Sequence, residues 1–225
     1  MKAQPAAEDN AQVVRPLLAG ALAVLLASSC QTTRQAGAPA IVQPGAPGQA
    51  ARRITAEAAR AGSAATATAA DISFMQGMIG HHAQAIEMTA LLPTRTARED
   101  MRLLARRIEL SQADEIRWME RWLEVRGKAV PDAHAHHAHD AVLMPGMLTQ
   151  EELTRLAAAA ASDFDRLFLE FMIKHHEGAL VMVNDLFMTD GAGQESEIFG
   201  FASDVDTDQR IEIDRMTTML RELVK

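Results

Sequence analysis

From residue 71 onward, apolar side chains recur at spacings of three and four, the period of helices with one buried face. At about 100° per residue four stripes emerge. Phe74, Met78, His81, Ala85, Met88 and Leu92 share the first, with His82 on its flank. Leu104, Ile108, Gln112, Glu115, Met119 and Trp122 share the second. The third holds Phe164, Phe168, Met172, His175, Ala179, Met182 and Leu186, and the fourth Ile198, Phe201, Val205, Gln209, Glu212, Met216 and Met219. Punctuation residues set the boundaries. The first helix is predicted to begin near Asp71 and to end before Pro93. Thr96-Ala97-Arg98-Glu99 reads as a capping box opening a second helix, which runs to about Arg126 and stops at Gly127. Thr149-Gln150-Glu151-Glu152 reads as another, opening a short helix through an alanine run. The third long helix spans about 163–188, closed by Gly191 and Gly193, and the fourth about 194–223.

The stripes are interrupted by polar residues at matching heights, and the interruptions repeat. Met78-Ile79-Gly80-His81-His82-Ala83-Gln84-Ala85-Ile86-Glu87-Met88 returns as Met172-Ile173-Lys174-His175-His176-Glu177-Gly178-Ala179-Leu180-Val181-Met182, an offset of 94 from His81 to His175. Gln112-Ala113-Asp114-Glu115-Ile116-Arg117-Trp118-Met119 returns as Gln209-Arg210-Ile211-Glu212-Ile213-Asp214-Arg215-Met216, an offset of 97 from Glu115 to Glu212. A repeated helix pair predicts an all-α four-helix bundle made of two duplicated hairpins, about 71–126 and 163–223. A His/Met-rich loop, 128–148, and the short helix join them. Gly80 against Lys174, and Glu87 against Val181, make the halves unequal.

The bundle accounts for 67–225 only. Residues 31–66 are rich in Ala, Gly, Pro and Gln and read as a flexible tether. Residues 1–30 read as an export leader: Arg15 precedes an apolar run, Leu17 to Leu26, that is short for a bilayer and ends at Cys30. Small residues before a lone cysteine predict lipoprotein processing at Cys30, with a plain cleaved signal or a membrane anchor as the alternatives. Ala27 stands where such sites usually carry Leu, and Glu8 and Asp9 lengthen the segment before Arg15. This places the protein in the periplasm or cell envelope, touching membrane through its anchor only.

Composition narrows the chemistry. Aromatics are 4% of the 225 residues and tyrosine is absent, which suits helices packed on helices. A net charge of −8 argues against nucleic acid. With Cys30 the single cysteine, soft-metal binding falls to methionine thioether and histidine imidazole.

Burying imidazoles and carboxylates costs several kcal/mol unless they are partnered. Two accounts fit. In the first, His81, His82, His175 and His176 with Met78, Met88, Met172 and Met182 hold a metal ion, and Gln112, Glu115, Gln209 and Glu212 complete or orient the set. In the second, the same groups form a structural hydrogen-bond network that registers the helices. Met119, Met216 and Met219 read as core filler. The loop offers a separate capture site: His134, His136, His137 and His139, followed by Met144 and Met147. Enzyme classes fall away: no Gly-rich phosphate loop is present, and no Glu-x-x-His of the di-iron bundles occurs. A binding protein without turnover is the leading reading. A structural or interaction module of the envelope is the alternative, and a metal-dependent oxidoreductase the weaker one.

Three phrases carry a family resemblance: Phe74-Met75-Gln76-Gly77-Met78-Ile79-Gly80-His81-His82, Met144-Pro145-Gly146-Met147-Leu148-Thr149, and Phe164 to Ala179 with His175-His176-Glu177-Gly178 at its end. In this order they resemble the bacterial family designated domain of unknown function 305 (DUF305), over about Asp71 to the C-terminus. The resemblance implies a ferritin-like fold, export, and a role in handling metal in the envelope, since some members are periplasmic copper-binding proteins that support copper tolerance. Copper is therefore the expected ion, with another transition metal as the alternative. The family motif falls on His81, His82, His175 and His176, on Met144 and Met147, and on Gln112, Glu115, Gln209 and Glu212. Protein partners are not indicated.

Overall fold

The computed structural model describes residues 40–43, 50–63, 66–134 and 143–223. Within the stretch read as a tether lie two short antiparallel strands, β1 (Ile41–Gln43) and β2 (Arg52–Ile54), with Ile41 opposite Ile54, and a helix, α1 (Ala56–Ser63). The remaining elements are α2 (Ala69–Thr89), α3 (Leu92–Arg95), α4 (Glu99–Val125), α5 (Gln150–Ala158), α6 (Ala161–Met188) and α7 (Ser196–Leu223).

Each start and stop has a local cause. Thr68 caps α2 by accepting from the Asp71 backbone N–H, and its own N–H donates to Asp71 Oδ2 at 2.7 Å. Asp71 Oδ1 accepts from the Gly193 N–H, which ties the start of α2 to the turn before α7. At α5 the Thr149–Glu152 box forms as expected. The box expected at Thr96–Glu99 does not. Pro93 sits in the first turn of α3, Thr96 closes that one-turn helix, and α4 then begins after Arg98 with no side-chain cap. The Thr96 hydroxyl accepts instead from the Arg98 N–H. Gly127 adopts φ +63 and ends α4, with Lys128 N–H reaching back to the Leu123 carbonyl.

Helix α2 packs on α4, α6 packs on α7, and α2 meets α6 across the middle. This is the all-α four-helix bundle that the stripes predict, with the ferritin-like fold that the family resemblance implies. Of all the stripe residues, only Glu115 is not buried. The apolar core forms two clusters. One gathers Met88, Leu104, Ile108, Phe164, Phe168, Met172 and Met216. The other gathers Phe74, Met78, Met119, Trp122, Met182, Ile198 and Val205. On each of the four long helices the polar residues at 81–84, 112–115, 175–176 and 209–212 fall between the two. Among the described residues, no helix is long and apolar enough to cross a membrane.

Candidate metal centre

Adjacent histidines on a helix point about 100° apart, so each His-His pair serves two neighbours. His82 turns to its own hairpin partner and meets Glu115 Oε2 at 2.5 Å from Nε2. His176 does the same with Glu212 Oε2 at 2.7 Å. His81 and His175 meet across α2 and α6, ring centroids 3.8 Å apart and tilted by 37°. Within each pair the rings stand 6.2 Å apart at 57°. All four imidazoles are fully buried.

Acceptors set the tautomers. His81 Nε2 lies 3.0 Å from the Pro145 carbonyl, which can only accept, so the proton sits on Nε2. The Glu115 and Glu212 carboxylates likewise accept from Nε2–H of His82 and His176. Among the described residues, Nδ1 of His82 and of His176 has no hydrogen-bond partner, and the His175 ring has no side-chain partner. Burial, reinforced by the neighbouring His81, His176 and His82, holds the His175 pKa well below its ordinary value, so the ring stays neutral. Among the described residues, buried Gln112 has no partner for either amide atom and buried Gln209 none for its oxygen. Native cores rarely leave so many polar groups unsatisfied in one layer.

The two carboxylates differ. Burial pushes the Glu115 pKa up, but the hydrogen bond from His82, its charge and the Ser111 hydroxyl at 3.2 Å outweigh that, and the net shift is downward. Glu115 is 17% exposed. Glu212 is 5% exposed and has the Arg107 guanidinium 3.7 Å away. Asp208 is raised by burial and by the nearby Glu115 and Glu212.

The linker closes over the layer. Leu148 N–H donates to Gln84 Oε1 at 2.7 Å, and Gln84 Nε2 donates to the Leu148 carbonyl at 3.0 Å. Pro145 and Gly146 then lie on α6 at Gly178, where an added Cβ would come within 2.0 Å of the Pro145 oxygen. Only glycine admits that approach. Beside Gly77 the Met144 sulfur and the Met182 methyl converge, 3.3 and 3.4 Å from where a Cβ would stand. Met78 shares their apolar cluster, while Met88 and Met172 share the other, so thioethers flank the histidine layer on both sides. Met147 is buried. His134 lies in an exposed turn. His136, His137, His139 and Cys30 fall outside the described residues.

Among the described residues, no group of three or more His, Cys, Asp or Glu side chains is gathered as an ion cage. The His81 and His175 rings face each other across α2 and α6, and methionine thioethers lie in the apolar clusters on either side of the layer. Imidazole is a borderline donor and thioether a soft one, a set better suited to transition metals than to hard cations such as magnesium or calcium. Sequence reasoning missed Gln84, Gly178, the Pro145 carbonyl, Ser111, Arg107 and Asp208. Gln84 and Gly178 stood at matching places in the repeated phrase, and that mismatch was the available signal.

Residues 71–220 match the family described as Domain of unknown function (DUF305), and the chain belongs to it. Among solved structures it is similar to a DUF305 fragment from Deinococcus radiodurans, at 33% identity and TM-score 0.59, over 69% of this chain and 98% of that one. It is also similar to a DUF305 protein from Streptomyces coelicolor, at 27% identity and TM-score 0.60, over 68% and 93%. CopM in its Cu(II)-bound form matches at 28% identity and TM-score 0.56, over 68% and 96%; CopM has also been solved with Cu(I) and with silver. No curated protein matches the chain significantly.

Proposed function

We propose that this chain is an exported copper-binding protein of the bacterial envelope, which sequesters or shuttles copper as cargo without turning it over. One observation carries the reading. Three of four buried histidines place Nε2 against a carboxylate or a carbonyl, the arrangement that orients metal-ligating imidazoles. His175 adds a buried ring kept neutral, the form a metal requires. His81, His82, His175 and His176 are the nitrogen donors in this reading. Met78, Met88, Met172 and Met182 supply sulfur, and Gln112, Glu115, Gln209 and Glu212 orient the set. His134, His136, His137 and His139, with Met144 and Met147, form a separate capture loop. The copper-bound forms of CopM support the choice of ion. Export and lipid attachment at Cys30 belong to the same reading: mature protein begins at Cys30, carries acyl chains and partitions into detergent. A mass spectrum showing unmodified Cys30 removes the anchor.

The test is Cu(I) titration of residues 31–225 against a competing chelator, on untagged protein. Deleting 134–139 is expected to remove loop binding and leave the bundle site. Replacing His81, His82, His175 and His176 is expected to remove the bundle site in a variant that keeps its helical spectrum. The short His82–Glu115 and His176–Glu212 hydrogen bonds favour one rival, in which these pairs only register the helices. Affinity that survives the four substitutions and vanishes with the loop deletion establishes that rival.

A further inference from the structure

The two His–Glu pairs are alike in geometry and opposite in surroundings. Between α4 and α7 runs a groove of about 540 Å³ whose lining includes Glu115, Asp204 and Asp208, and no lysine or arginine. Asp114 and Glu197 also line it, but these pair with Arg117 and Arg126. Asp204 and Asp208 form no ion pair among the described residues, and Asp208 stands close enough to feel Glu115 and Glu212, with the Arg107 guanidinium offsetting part of their effect. Stacked Trp118 and Phe201 rings, 4.6 Å between centroids, form an apolar wall. Glu115 belongs to this groove and to the buried layer at once. In the layer its partner is the fully buried His82, whose Nδ1 has no hydrogen-bond partner among the described residues.

The repeat supplies an internal control. At the offset of 97 residues, Arg107 corresponds to Asp204 and Ser111 to Asp208. Arg107 on α4 reaches Glu212 on α7 and helps seal it at 5% exposure. The matching position on α7, Asp204, is an acid and shares the open groove with Glu115. One charge reversal thus separates a sealed pair from an accessible one.

We propose that the groove is the entrance by which a metal cation reaches the buried histidines, with His82–Glu115 as the receiving end and His176–Glu212 as the closed end. This rests on the copper-binding reading above. Acid-lined clefts with low-dielectric walls concentrate cations and speed their capture. Glu115 lies at the boundary between solvent and the imidazole behind it. Cations entering there meet His82 before the His81–His175 pair. At the other end the Arg107 guanidinium repels them.

The experiment separates loading rate from equilibrium binding. Cu(I) is transferred from a small chromogenic chelator and followed by stopped flow, with Ag(I) as the redox-inert repeat. Asp204→Asn with Asp208→Asn is expected to slow loading about three- to ten-fold at low salt and to flatten its ionic-strength dependence. Release should keep its rate. Ser196→Lys, a cation added to the groove lining, is expected to slow loading by a similar factor. Glu99→Gln with Glu222→Gln removes the same net charge far from the groove and should leave the rate unchanged. Loading that is unaffected by the groove variants, or slowed equally by the distant pair, overturns the entrance while copper binding stands. Wild-type protein that binds neither Cu(I) nor Ag(I) takes down the functional reading and the entrance together.

Discussion

The halves of this bundle carry nearly the same phrase and place it in different surroundings. His82–Glu115 and His176–Glu212 have Nε2–O distances of 2.5 and 2.7 Å, yet one carboxylate faces an acidic groove and the other an arginine. Positions 84 and 178 correspond, and there the difference is steric. Gln84 grips the linker through two hydrogen bonds, whereas Gly178 lets the linker backbone lie on α6. Gly80 and Lys174 differ as well: Lys174 reaches Glu152 at 2.7 Å and holds α5 on its own half. Repeated sequence therefore builds repeated contacts within each hairpin. Single substitutions at facing positions decide which copy is sealed, capped or open.

The largest expected effect tests the steric contrast. Gly178→Ala drives a methyl into the Pro145 carbonyl and is expected to cost about 3 kcal/mol in urea unfolding. Gln84→Ala leaves the Leu148 N–H and carbonyl without their partner, at about 2 kcal/mol. If Gly178→Ala unfolds within about 0.5 kcal/mol of wild type, the linker is free to lift and the halves are not distinguished there.

Next comes the electrostatic contrast. Glu212→Leu strands the His176 N–H in a site closed to water and is expected to cost about 3 kcal/mol. Glu115→Leu should cost about 1 kcal/mol, because water from the groove can reach the orphaned His82 N–H and because a charge leaves an acidic neighbourhood. Equal losses would erase the sealed-versus-open distinction.

A smaller effect is read from pH, on metal-free protein. His175 has a folded pKa below the ordinary value near 6.5, so below that value the unfolded chain takes up a proton that the native chain refuses. Its contribution is therefore present above about pH 6.5 and declines as pH falls towards the folded pKa. Glu115 has a pKa depressed from 4.5, so its contribution is present above that value and is lost as pH falls through the folded pKa. Unfolding midpoints measured from neutral to acid pH should decline in two stages. His175→Asn should flatten the first and Glu115→Leu the second. A midpoint that rises on acidification would break the assignment of a neutral, buried His175.

The smallest contrast lies at two helix starts that look alike in sequence. Glu152→Ala removes a capping-box acceptor and the Lys174 partner and is expected to cost about 1 kcal/mol. Glu99→Ala, in the box that does not form, should stay within about 0.5 kcal/mol.

Much of the geometry of the candidate layer was legible in the sequence. The stripe through Met78, His81, Ala85 and Met88 placed His81 inside the bundle because 3.6 residues per turn is a local property. The recurrence of Glu115 as Glu212, three residues after a glutamine each time, marked the carboxylates as partners for the repeated histidines. Thr149 and Glu152 announced a cap because both members of that box lie within one turn. Thr96 misled for a related reason. The box pattern ignores what the preceding residues do, and here Pro93 had already started a helix that Thr96 finishes.

What the chain determines by itself is thus periodic or short-range: four helices, the face each buries, and the heights at which polar groups interrupt those faces. The tertiary structure decided what depends on residues distant in sequence. It set His81 against His175, seated Met144 beside Met182 over Gly77, and laid Pro145 on Gly178. It also turned Arg107 towards Glu212 while leaving Glu115 with Asp204 and Asp208. Helical period repeats along a chain, so two copies of a phrase make the same local shape. The path of a linker and the charge on a facing helix do not repeat, and these settle which copy is open to solvent.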